Sequence, residues 1–140
     1  MEWMMLPLKR YAQFSGRARP KEFWMFFLFI ILCLLVLSFV EAALGLGTSE
    51  RWAVREGWSA SAGFRNSGGP LTGLFLLAVL VPYLAVSVRR LHDTDRSGWW
   101  LLLGFIPFLG GLILLIFFVM GGTRGPNRFG PDPFEAVDLP

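Results

Sequence analysis

The chain has 140 residues, of which 54% are hydrophobic, 16% aromatic and only 16% charged, with a formal net charge of +3. An average soluble domain is about a quarter charged and under half apolar. Three stretches carry no acid, base or histidine: 18 positions between Glu22 and Glu41, 23 between Arg65 and Arg89, and 27 between Arg96 and Arg124. Together they make up about half of the chain, and a soluble fold this small has too little interior to bury them. An ordinary globular protein is excluded, and so are a disordered tail and a disulfide-stapled secreted domain.

Residues 1–22 form a basic N-terminal segment. Met4, Leu8 and Tyr11 recur at helical spacing beside Lys9 and Arg10, which fits a short helix lying on a bilayer surface, with a frayed terminus as the alternative. Residues 23–44 are the first predicted transmembrane helix, since 15 of these 22 residues are Leu, Ile, Phe or Val. A crossing needs roughly 20 mostly apolar residues. The run is also longer than the apolar region of a cleaved signal peptide, roughly 7 to 15 residues. Glu41 is placed where it can reach the far headgroups, and Cys33 reads as a lipid-facing or packed thiol.

Residues 45–70 are rich in Gly and Ser without apolar periodicity and are expected as a loose extracytoplasmic loop. Residues 71–88 are the second predicted span, expected to kink at Pro82. Residues 89–98 are expected as a charged loop. Residues 99–120 are the third span, kinked at Pro107, with a re-entrant hairpin over Pro107 to Gly111 as the alternative. Residues 121–140 form the tail. The fold class is therefore an all-α membrane protein with three transmembrane helices and a short interfacial helix.

Orientation follows from Lys and Arg in the flanks. With three spans the N-terminal segment and the second loop share a side and hold eight basic residues, against five on the other side. The N-terminus is expected in the cytoplasm and the tail outside. Trp24, Trp99 and Trp100 then lie at the cytoplasmic interface, as an aromatic belt would.

Three polar clusters pack charge, Gly and Pro against the span ends. They are Phe14-Ser15-Gly16-Arg17-Ala18-Arg19-Pro20-Lys21-Glu22-Phe23-Trp24, then Arg89-Arg90-Leu91-His92-Asp93-Thr94-Asp95-Arg96-Ser97-Gly98-Trp99-Trp100, and finally Gly125-Pro126-Asn127-Arg128-Phe129-Gly130-Pro131-Asp132-Pro133. On these motifs the chain, from Tyr11 to about Pro133, resembles the domain of unknown function 805 family, the YhaH-like bacterial inner-membrane proteins. Pro20 stands where that family usually has Arg, Phe23 replaces its usual Tyr, and the first loop is longer than usual. The resemblance implies an integral protein of a bacterial cytoplasmic membrane and implies no activity.

Chemistry is sparse in these clusters. His92, Asp93 and Asp95 suggest a metal or acid–base site, but Arg89, Arg90 and Arg96 compete for the carboxylates and no nucleophile–base pair is visible. The structural reading is preferred: arginines that pair with Asp93 and Asp95 or hold phosphate headgroups, and Asp95 or Ser97 capping the third span. Pro20 suits a first helical turn, and Glu22 is expected to pair with an arginine of the second loop. The Asn127–Arg128 turn docks either on the first loop or on the span ends. No enzyme, cofactor or metal is expected. Nucleic acid is excluded because nothing assembles a basic reading element.

Two functions remain. The first is a non-enzymatic membrane adaptor or scaffold whose Arg-rich cytoplasmic face meets anionic lipids or a membrane partner. Its contact residues would be Arg17, Arg19, Lys21, Glu22, Arg89, Arg90, His92, Asp93, Asp95, Arg96, Asn127, Arg128 and Asp132. The alternative is a homo-oligomeric transporter, channel or lipid-handling protein, against which stands the lack of any ionisable residue at mid-span.

Overall fold

The computed structural model describes residues 2–56 and 59–134. Met1–Phe29 with Val79–Pro140 make one compact unit and Ile30–Ala78 a second. In chain order the elements are α1 (Glu2–Lys9), α2 (Pro20–Leu44), β1 (Thr48–Glu56), β2 (Ser59–Ser67), α3 (Pro70–Asp93), a 3-10 helix (Gly98–Phe105) and α4 (Leu109–Val119).

α2 begins at Pro20, whose fixed φ and missing N–H suit a first turn. Its 25 residues reach about 37 Å at 1.5 Å each, enough to cross a hydrocarbon core of about 30 Å. α3 is similar, with 24 residues. The most apolar windows of the two helices have mean hydropathies of 3.0 and 2.3, and only 17% and 28% of each window is buried. Leu35, Phe39, Leu74 and Leu77 are each more than 60% exposed. A soluble protein would hide such surface, and here lipid is the solvent that suits it.

In the second unit, the segment expected as a loose loop contains an antiparallel strand pair, with Thr48 opposite Ser67 and Glu56 opposite Ser59. The sequence concealed it because backbone pairing needs no apolar face, and Ser, Ala and Gly in β2 leave no alternation to read. Gly57 and Trp58, between the strands, lie outside the described residues. Glu41 does not reach for headgroups. The residue is 2% exposed, and its carboxylate accepts from Gly69 N and Thr72 N, each at 2.9 Å, and from Thr72 Oγ1 at 2.7 Å. It thus supplies acceptors to the orphan N–H groups at the start of α3, where a helix favours negative charge.

α3 runs unbroken through Pro82 and five residues past the expected end, so Arg89 to Asp93 are helical rather than loop. The helix closes in a Schellman arrangement. Arg96 N donates to Leu91 O at 2.9 Å, Asp95 N donates to His92 O at 3.0 Å, and Asp95 takes a φ of +58°. Asp tolerates that left-handed position better than most residues. Ser97, not Asp95, caps the following helix, accepting from Trp99 N at 3.4 Å.

The single kinked span over residues 99–120 is not what forms. The 3-10 helix and α4 are two short arms folded back on each other. Trp100 meets Phe117 edge-on, with centroids 5.6 Å apart, and Gly104 faces Leu114. At the tip, Phe108 has a φ of +62° and Leu109 N donates to Pro107 O at 2.7 Å, a three-residue turn that reverses the chain. Both arms end beside the end of α3: Gly98 packs on Val88, and Arg90 binds Phe118 O. At about 16 Å each, neither arm can cross a bilayer core of about 30 Å. Phe23 on α2 joins this unit together, its ring centroid 4.5 Å from Phe118 and 6.2 Å from Tyr83.

Candidate functional site

The last turn of α3 supplies the centre of the polar region. Arg89, Arg90 and Asp93 are each 0% exposed. Two guanidinium groups neutralise the Asp93 carboxylate. Arg17 places Nε and Nη2 each 3.0 Å from Oδ1, and Arg90 donates Nη1 to Oδ2 at 2.7 Å.

The same two arginines bind the chain that leaves α4. Arg17 donates to Gly125 O at 2.6 Å and also to Thr123 O. Arg90 donates to Phe118 O at 3.3 Å and also to Met120 O. Cations there satisfy the free carbonyls and the negative pole of the α4 C-terminus. Gly122 has to lack a side chain, because a Cβ there would fall on the Asp93 carboxylate.

The tail returns the favour to α3. Thr123 donates N and Oγ1 to Asp93 O at 2.8 and 3.1 Å. Asn127 Nδ2 donates to His92 O at 2.9 Å. Asn127 Oδ1 accepts from Phe129 N at 2.9 Å, a turn that lays the Phe129 ring flat on His92 with centroids 3.9 Å apart. On its other side His92 places Nδ1 3.1 Å from Gly16 O. Gly16 has a φ of +88°, a backbone state that favours glycine.

Of the two ends left open by sequence reasoning, the tail therefore docks on a span end. It also lies with the N-terminal segment and the second loop, not across from them. The expectation that the tail lies opposite the N-terminal segment is corrected, because the hairpin of the two short arms brings the chain back beside the end of α3.

Asp132 fastens the tail further along, accepting from Gly125 N at 2.8 Å and Phe134 N at 2.9 Å. These N–H donors, Phe134 first, hold its carboxyl below the usual value of 3.8. A depressed folded-state pKa contributes stability above the unfolded value and loses it as pH falls through the folded one. Asp132→Asn should therefore lower the melting temperature at neutral pH, and that difference should vanish as the solution is acidified below 3.8. A constant difference across that range would contradict the role assigned to the carboxylate.

The remaining polar residues fall into three settings. The expected pairing of Glu22 with an arginine is present, with Arg89 Nη1 2.8 Å from Glu22 Oε1. Arg19 donates Nε to Pro133 O at 2.7 Å and sits 4.5 Å from the Phe134 ring centre and 5.5 Å from that of Trp3. Lys21 is exposed above Trp3, Arg96 is half-buried over Phe117 at 4.1 Å, and Arg128 and Asp95 pair at 3.3 Å in solvent. Sequence reasoning missed Gly122 and Thr123, whose only signal was a Gly-Gly-Thr run at the end of an apolar stretch, and it did not single out Phe129 within the third cluster. Among the described residues no three of His, Cys, Asp and Glu gather as metal ligands would.

The profile of a family described as "Protein of unknown function (DUF805)" matches residues 11–131. The chain is 45% identical over 133 residues to inner membrane protein YhaH of Escherichia coli strain K12, covering 95% of this chain and 97% of that one. It is 44% identical, over 95% of this chain and 96% of that one, to inner membrane protein YhaI of the same strain. No solved structure matches.

Proposed function

This chain belongs to the DUF805 family, and from that premise we propose that it is a non-enzymatic scaffold of the bacterial inner membrane whose basic face meets anionic lipid. α2 and α3 cross the bilayer, the two short arms enter and leave from one side, and α1 lies at that interface. The N-terminal segment, second loop and tail then share a face that holds ten of the thirteen basic residues. By the bias of positive charge toward the inside, that face is cytoplasmic.

One observation carries the scaffold reading. The polar residues that a catalytic or conducting site would use are turned inward and bound to one another and to helix ends. They tie the N-terminal segment, the end of α3 and the tail into one bound corner. The basic groups left outside are Lys9, Arg10, Lys21, Arg124 and Arg128, with Arg19 and Arg96 half-buried, and each basic residue near an anionic surface is worth about 1 kcal/mol.

The test is purification of the full chain from native membranes in mild detergent, with copurifying lipids and proteins identified. The reading expects enrichment of anionic phospholipid that falls when Lys21, Arg124 and Arg128 are changed together to Gln. A closed homo-oligomer that conducts solute across liposomes, with no lipid enrichment, would overturn it in favour of a transporter.

A further inference from the structure

The two short arms carry their bulk on the outside. Leu109, Leu112, Ile116 and Val119 recur at helical spacing along α4 and are 49–63% exposed. Phe105 and Phe108 near the tip are 85% and 96% exposed, and Trp99 at the base is 80% exposed. The buried face of α4 is another one, formed by Gly110, Leu114 and Phe118. Helices that pack on each other inside a membrane use small or polar residues at the seam, and the exposed stripe of α4 holds none. Acyl chains are the occupant that suits it.

Length and anchoring set the depth of the arms. At about 16 Å each, they match half of a hydrocarbon core of about 30 Å. Hydrocarbon offers the backbone no partners, and the turn supplies its own: Ile106 N donates to Leu103 O at 2.9 Å, Leu109 N to Pro107 O at 2.7 Å and Gly110 N to Ile106 O at 3.2 Å. Pro107 has no N–H to satisfy. The base is held at the polar corner, where Arg90 binds Phe118 O and Met120 O and Gly98 packs on Val88. With the base fixed there, the tip comes to mid-bilayer.

We propose that the arms are a one-leaflet insert whose partner is a lipid leaflet with its chains spread apart, so that the protein gathers where the membrane is convex on the side of the arms. α2 and α3 occupy both leaflets, whereas the arms add two helical cross-sections to one. At a helix diameter of 10–12 Å this is roughly 150–220 Å² of added area. Apolar bulk enters one leaflet more readily where curvature has opened its packing. This rests on the membrane placement in the scaffold reading and goes beyond it, because it needs no charge on the lipid.

The test places the full chain in giant vesicles of pure phosphatidylcholine, from which narrow membrane tubes are drawn. Arg124→Cys in a Cys33→Ala background carries a fluorophore on the side of the arms. An impermeant quencher then separates molecules with that side outward from those with it inward. Molecules with the arms in the outer leaflet should be severalfold denser on the tube than on the vesicle. Molecules with the arms in the inner leaflet should be severalfold sparser. Phe105→Lys combined with Leu109→Lys is the informative variant. Both side chains point outward, so melting in detergent should be unchanged, while charge at the tip drives the arms out of hydrocarbon and the sorting should disappear.

Equal densities on tube and vesicle in both orientations overturn the insert, and so does sorting that persists in the double variant. Photobleaching in two steps per spot, with no sorting, gives the exposed stripe to a second copy of the chain and likewise overturns it. Because these vesicles hold no anionic lipid, each of those results leaves the enrichment of anionic phospholipid by the basic face to stand or fall on its own measurement. Sorting as described without that enrichment keeps the insert and removes the lipid-binding part of the scaffold reading.

Discussion

Asp93→Ala is expected to destabilise the detergent-solubilised protein by about 3–5 kcal/mol, the usual cost of leaving a buried charge without its partner. The effect belongs at the top of that range because one carboxylate holds two arginines. Arg17 and Arg90 would each keep a buried positive charge, and both would be less firmly held where they bind the tail and the end of α4. Asp95→Ala is the control. Its pair with Arg128 is 48% and 62% exposed at the two side chains, a setting worth only about 0 to 1 kcal/mol. Melting of the two variants in one detergent checks the contrast. Equal, small losses would mean that the corner is not a single bound unit.

Gly110→Ala and Gly111→Ala should act in opposite directions although the residues are adjacent. A Cβ on Gly110 would fall on the carbonyl of Leu103 in the facing arm, a backbone atom that cannot step aside. Overpacking of that kind costs about 1–3 kcal/mol, and more where backbone must move. A Cβ on Gly111 meets nothing within 4 Å, and replacing a helical Gly by Ala gains up to about 1 kcal/mol. In one straight helix both substitutions would be favourable. Destabilisation at Gly110 with neutrality or gain at Gly111 therefore reports the folded-back arms, and matched gains would contradict them.

Length and hydropathy made α2 and α3 legible, because lipid imposes a minimum run that few soluble helices meet. Pro20, Ser97 and the Glu22–Arg89 pair were legible too, since helix starts and opposite charges at one membrane face follow local rules. The rest depended on distant partners. Arg89 to Asp93 look like a loop until Glu22 and Arg17 are present to neutralise them, and Arg17 lies 76 positions from Asp93. The reversal at Pro107–Phe108 puts a positive φ on Phe, a residue that does not advertise one. Gly110 signals a kink on its own and a hairpin only beside Leu103. The strand pair in the second unit is carried by backbone groups, which composition does not reveal.

Site-directed labelling tests the central claim, that the N-terminal segment and the tail lie on one side of the membrane. Single-cysteine variants at Ser15, Ser59 and Arg124, made in a Cys33→Ala background, would be exposed to a membrane-impermeant maleimide in intact and then in broken cells. Ser15 and Arg124 should both label only after the cells are broken, and Ser59 should label in intact cells. Labelling of Arg124→Cys in intact cells while Ser15→Cys stays protected would place the tail across the membrane and contradict the folded-back arms.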